Sequence, residues 1–186
     1  MTSGTHAQNF PESEMTLTPD AAAALERGHK LAVVTDDDDD ALAATRTLAA
    51  RLAAAHGLDV VLYDRSEETW MDHPHPSGPY RRDELDGRQR RHLREQLAEF
   101  ERAGVDAVAW IATVPSITEI VDVVTDLDVD TILLPEVTEH PKLLDRLKAE
   151  SPAKVVEQMV GLDLHSSTAV LVFDGDQVTI EPPPVP

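Results

Sequence analysis

The chain contains no cysteine, so disulfides, thiolate metal sites and cysteine nucleophiles are excluded. Aromatic residues make up only 4% of it. Alanine and aliphatic side chains must therefore fill the interior. Lysine is confined to Lys30, Lys142, Lys148 and Lys154, against 35 aspartates and glutamates and a formal net charge of -19. That imbalance repels nucleic acid and anionic membranes, and neither is expected as a partner. It resembles the acidic surface of proteins from salty cytoplasm, with ordinary charge-driven solubility as the plainer reading. No apolar run approaches the roughly 18 residues of a membrane span. Met1 is not followed by a basic segment and an apolar one, so a secretory leader is not expected and a cytoplasmic location is. Glycine, eight in all, is missing from the whole stretch between Gly104 and Gly161.

What is present is a repeated alternation. Leu31 to Thr35 is an aliphatic run of the kind buried on both faces of a sheet, and it ends in five carboxylates, Asp36 to Asp40. A helix is predicted from about Ala41 to His56, ended by Gly57. Strand two is predicted at Asp59 to Tyr63. A loop rich in Pro, His and Ser, Asp64 to Tyr80, precedes a second helix over about Arg82 to Arg102. Strand three is predicted at Ala107 to Val114. Ser116 or Thr118 starts a third helix, with Ile117, Ile120, Val121, Val124 and Leu127 at helical spacing. Strand four is predicted at Thr131 to Leu134. Helical material runs from about Pro141 to Leu162 and restarts at Ser151-Pro152. Strand five is predicted at Thr168 to Phe173, followed by an Asp174-Gly175 turn and an antiparallel return over Val178 to Glu181. Before all this, Met1 to Thr18 lacks periodicity, and Pro19 to Gly28 is expected as a short helix capped by Asp20.

Aliphatic strands separated by amphipathic helices predict a doubly wound three-layer α/β/α sandwich. Three segments are expected: an irregular or partly helical extension over 1–28, one domain over 29–181, and a proline-rich tail over 182–186. In open sheets of this kind ligands sit at the carboxyl ends of the strands, which places the Asp36 to Asp40 run at the expected crevice.

In order and spacing the chain resembles the universal stress protein family over roughly residues 30–174. The residues that carry this are Leu31-Ala32-Val33-Val34-Thr35-Asp36 with its alanine-rich helix, Val60-Val61-Leu62-Tyr63, and Pro115 with Ile120-Val121. Asp130-Thr131-Ile132-Leu133-Leu134, Ser151-Pro152-Ala153-Lys154-Val155-Val156 and Ala169-Val170-Leu171-Val172 complete the set. The resemblance implies a five-stranded parallel sheet in the order 3-2-1-4-5, a homodimer along the C-terminal strand, protein partners, and a non-catalytic regulatory role with weak ATPase activity at most. Nucleotide-binding positions implied by it are Thr35, Asp36, Leu62, Leu134 and Ser151. Family members that bind ATP carry a glycine-rich phosphate loop after strand four, where bare backbone amides meet phosphate oxygens. Here Pro135 and Glu136 stand at its start and Glu150 precedes Ser151. The expectation is therefore no ATP cofactor, with AMP or ATP in the crevice near Asp36 as the alternative.

Three further constellations carry chemistry. The Asp36 to Asp40 carboxylates suit a divalent cation, and a metal-dependent phosphohydrolase is the second alternative; an acidic helix start is the plainer reading. Asp72, His73 and His75 suit a transition metal, against an exposed linker. Arg81, Arg82, Arg88, Arg90, Arg91, Arg94 and Arg102 form a basic strip, interleaved with acids at pairing distance, so a salt-bridged solvent face is expected. No catalytic residue and no metal ligand is assigned.

Overall fold

The computed structural model describes residues 15–35, 40–64, 78–85, 91–111, 117–136, 152–164 and 167–182. Its elements are β1 (Thr16–Leu17), α1 (Pro19–Arg27), β2 (Lys30–Thr35), α2 (Asp40–His56), β3 (Asp59–Asp64) and β4 (Gly78–Tyr80). A 3-10 turn (Arg82–Glu84) and α3 (Arg91–Arg102) follow. The second half holds β5 (Ala107–Ile111), α4 (Ile117–Leu127), β6 (Thr131–Pro135), α5 (Pro152–Gly161), β7 (Ala169–Phe173) and β8 (Gln177–Ile180).

The eight described strands form one sheet in the order β1-β8-β7-β6-β2-β3-β5-β4. The inner five, β5-β3-β2-β6-β7, are parallel and stand in the expected 3-2-1-4-5 order. They pair because each is an aliphatic run able to bury both faces. Helices α1, α2 and α3 pack on one face around Leu25, Leu52, Leu62, Leu93, Leu97 and Phe100. Helices α4 and α5 pack on the other around Val121, Val124, Ile132, Leu134, Val155 and Met159. Burying each of these larger aliphatic side chains stabilises the fold by about 1.5–3 kcal/mol before entropy is counted.

The β8 return forms as the Asp-Gly signal predicts, antiparallel to β7 with Phe173 opposite Val178. Asp174 Oδ1 accepts the N–H groups of Asp176 (2.9 Å) and Gln177 (2.7 Å). These two amides hold its carboxyl below the ordinary aspartate value.

Several boundaries differ from expectation. Thr16 and Leu17, expected in an irregular leader, pair in parallel with Gln177 and Val178. Helix α1 is capped by Thr18, whose Oγ1 accepts Ala21 N–H, rather than by Asp20, with Pro19 in its first turn. The second helix is not continuous from Arg82: a 3-10 turn and α3 replace it, and residues 86–90 lie outside the described set. Gly78 to Tyr80, the end of the expected loop, forms an edge strand antiparallel to β5. Strand β5 is described to Ile111, and residues 112–116 and 137–151 are outside the described set. Gly57, at φ +68, ends α2 in a conformation disfavoured for other residues.

Candidate functional site

The two central strands, β2 and β6, mark the point where strand order reverses. Their ladder covers only Leu31 to Val33 against Thr131 to Leu133. Strand β2 pairs with β3 as far as Thr35 opposite Asp64, and β6 pairs with β7 as far as Pro135 opposite Phe173. So Val34-Thr35 and Leu134-Pro135 part company while each keeps its outer neighbour. The gap lies at the carboxyl ends, where α/β sheets hold ligands. Pro135 is tolerated because its missing N–H falls on the β2 side, beyond the last ladder pair.

At the opposite end the same two strands are clamped. Asp130 Oδ2 accepts the backbone N–H groups of His29 (2.8 Å) and Lys30 (3.2 Å), and its Oδ1 accepts Thr131 Oγ1–H (3.1 Å). His29 Nδ1 lies 2.8 Å from the same Oδ2. Lys30 Nζ donates to Leu127 O at 2.6 Å. Gly28 permits this approach: a Cβ there would stand 2.5 Å from Asp130 Oδ1.

Behind the gap, on the α2/α3 face, lies a buried polar network. Thr35, fully buried, donates from Oγ1 to Gln96 Oε1 at 2.9 Å. Arg46 of α2 donates from Nη1 to Thr35 Oγ1 (3.3 Å) and from Nε to Glu99 Oε2 (3.2 Å). Beside Thr35, the buried Asp64 carboxylate lies 3.6 Å from His92 Nε2. His92, Gln96 and Glu99 share one stripe of α3, spaced four and three residues apart. On the other face Trp110 is buried, and its Nε1–H has no acceptor among the described residues.

At the end of β6, the Glu136 N–H donates to Phe173 O at 2.6 Å. The last residue of β6 and the one after it therefore offer no free amide: Pro135 has none, and that of Glu136 is spent inside the sheet.

Comparison with solved structures fits this architecture. The chain aligns with a crystal structure of a universal stress protein in complex with cAMP, at TM-score 0.50 and 19% identity, over 79% of this chain and 97% of that one. This chain has the universal stress protein fold. Among the others that align at lower scores are two more. One is a member of that family from Burkholderia pseudomallei (TM-score 0.46, 16% identity, 77% of this chain and 94% of that one). The other is a universal stress protein from Archaeoglobus fulgidus (0.43, 16%, 66% and 89%). No protein-family model matches the chain, and no curated protein does either.

Within the universal stress protein fold, three of the expected nucleotide positions are described, and their side chains lie on both faces of the sheet. Thr35 and Leu62 point to the α2/α3 face, where Thr35 is held in the polar network and Leu62 is in the core. Leu134 packs on the opposite face, against α4 and α5. Asp36 and Ser151 lie outside the described residues, as do Asp37 to Asp39, Asp72, His73, His75, Arg88 and Arg90. Of the basic strip, Arg82 pairs with Glu101, while Arg81 Nη1 stands 3.9 Å from Asp106. Arg91, Arg94 and Arg102 are exposed. Among the described residues no three His, Asp or Glu side chains are arranged to hold a metal ion. No described helix is long and apolar enough to cross a membrane.

Sequence reasoning missed the polar network. The signal was there: Thr35 and Asp64 are polar residues closing the apolar runs Leu31 to Val34 and Val60 to Tyr63, and Gln96 falls among Leu93, Leu97 and Phe100 on a helix face that should be apolar.

Proposed function

We propose that this protein is a non-catalytic, cytoplasmic regulatory binding protein of the universal stress protein type that does not clasp a nucleoside triphosphate. The observation that carries the reading is the end of β6. A phosphate cradle needs successive free amides. Pro135 supplies none, Glu136 N–H is already bonded to Phe173 O, and the Glu136 carboxylate is exposed beside the gap. No glycine follows until Gly161. Asp36 to Asp40, which follow β2 in sequence, add like charge.

The test is thermal melting of the full chain with magnesium-ATP in excess. No change in melting temperature is expected. A rise of several degrees would overturn the reading, since a ligand bound only by the folded state stabilises it.

A second reading is favoured by the parted ends of β2 and β6 and by cAMP in the similar structure. In it, an adenylate without a triphosphate enters the gap. Asp36 and Ser151 would meet it with side chains, and Thr35, Leu62 and Leu134 would frame it through the strand ends. A rise in melting temperature with AMP or cAMP but not with magnesium-ATP selects this version. The phosphohydrolase alternative at Asp36 to Asp40 predicts magnesium- or manganese-dependent phosphatase activity, and its absence removes that alternative.

The homodimer through the C-terminal strand is also part of the proposal. The outer edge of β7 is taken by β8, and that of β8 by β1. Such a dimer would have to add to this rim or displace β1. Light scattering of the full chain is expected to give twice the monomer mass of 20.4 kDa. The monomer mass would remove the dimer and leave the binding reading standing.

A further inference from the structure

We propose that a second cavity, at the end of the sheet opposite the crevice, binds a small aliphatic α-amino acid as its zwitterion. The cavity has a volume of about 290 Å³ and lies where β7 begins, between the end of α1, helix α5 and the end of β8. That volume sits at the lower limit of small-molecule sites and suits a ligand of amino-acid size rather than a nucleotide. Its walls are aliphatic: Ala24 of α1, Val156 and Met159 of α5, Val170 of β7 and Ile180 of β8.

The polar groups around it divide into two sets. One set is committed within the protein. The Asp130 carboxylate holds the amides of His29 and Lys30. Thr168 Oγ1 donates to Val129 O at 3.0 Å, and Ser167 Oγ donates to Leu164 O at 3.0 Å. The other set is the Arg27 guanidinium and the Glu181 carboxylate. Both line the cavity, and neither has an ion pair or side-chain hydrogen bond among the described residues, with the other or with any third group. Both are anchored at the backbone. Arg27 is the last residue of α1. The Glu181 N–H donates to Val170 O at 2.9 Å, which ties this residue to the cavity wall.

An uncommitted cation and an uncommitted anion beside an apolar pocket select a ligand that carries both charges and an aliphatic body. Its carboxylate meets Arg27, whose planar fork donates to two oxygens at once. Its ammonium meets Glu181. Its branched side chain displaces water from the cavity, chiefly at the half-buried Ile180. A ligand with one charged end leaves the second protein charge unanswered. A ligand with a charged side chain puts that charge against hydrocarbon, which is costly. Leucine, isoleucine, valine and methionine meet all three demands.

Isothermal calorimetry on the full chain tests this, with L-leucine as the first probe and isovalerate, isoamylamine and L-aspartate as comparisons. Leucine is expected to bind, with each comparison ligand weaker by about tenfold or more. Arg27→Gln and Glu181→Gln are each expected to weaken leucine by about tenfold or more. Arg27 is exposed and Glu181 half-buried, both without partners, so the melting temperature of the free protein should not move. Absence of heat with all four aliphatic amino acids would overturn the proposal. So would isovalerate or isoamylamine binding as tightly as leucine, or leucine binding unchanged in both variants. These variants lie away from the β2/β6 crevice, so failure here leaves the adenylate and triphosphate experiments unaffected.

Discussion

Replacing Phe100 by alanine is expected to lower the stability of the protein by about 3–5 kcal/mol. Phe100 is fully buried. It is one of three apolar residues, with Leu93 and Leu97, that seat α3 on the sheet. Its carbonyl also accepts the N–H groups of Ala103 (2.9 Å) and Val105 (3.0 Å), so the end of the helix is built around it. Truncation removes the transfer energy of the ring and leaves a cavity that close-packed neighbours fill only in part. Glu95→Ala, an exposed change on the same helix, should stay within about 0.5 kcal/mol. Urea denaturation of the two variants decides the matter. Equal midpoints would mean that α3 is not docked through this face. The same helix carries His92, Gln96 and Glu99 to the ends of β2 and β3. Loosening it should therefore also disturb the network behind the crevice.

The second large effect is expected at Asp130. Asp130→Ala leaves the amides of His29 and Lys30 without their acceptor, at a cost of about 1–3 kcal/mol. Asp130→Asn keeps one acceptor oxygen and should cost less. Gly28 supplies an independent check. Its φ of -74 and ψ of 161 suit any residue, so Gly28→Ala carries no backbone strain. Its penalty comes from the approach of the new Cβ to Asp130 Oδ1 and, at 3.2 Å, to Thr131 Oγ1. The Gly28→Ala penalty should therefore shrink in an Asp130→Ala background. The expected coupling is about 0.5–3 kcal/mol in a double-mutant cycle. Simple additivity would show that the carboxylate is not what makes glycine necessary.

Much of the sheet was legible because its inner strands are uninterrupted aliphatic runs. Val60-Val61-Leu62 and Ile132-Leu133-Leu134 can only be satisfied with cover on both faces, and Asp174-Gly175 announces its own turn. The outer strands were not legible. Thr16-Leu17 and Gly78-Pro79-Tyr80 are too short to show a period of two, and each is a strand only because a neighbour offers a free edge. The helix boundary near Arg82 was misread because leucine spacing continues through Leu85 to Leu93 while the backbone does not. The parting of β2 from β6 lies at the carboxyl end of β2, where the crevice was expected. Its surroundings were not legible, because Gln96 stands alone among Leu93, Leu97 and Phe100 on a helix otherwise rich in charge. What brings His92, Gln96 and Glu99 together there is the position of Arg46, Thr35 and Asp64, which are distant in sequence. The clamp at Asp130 was hidden for the same reason: its donors lie one hundred residues earlier.

The pairing of Thr16-Leu17 with Gln177-Val178 has a consequence for how the molecule is made. Synthesis delivers this segment long before its partner in β8. The rim of the sheet therefore stays unfinished until Gln177-Val178 has been made, and strands β2 to β7 can assemble before it.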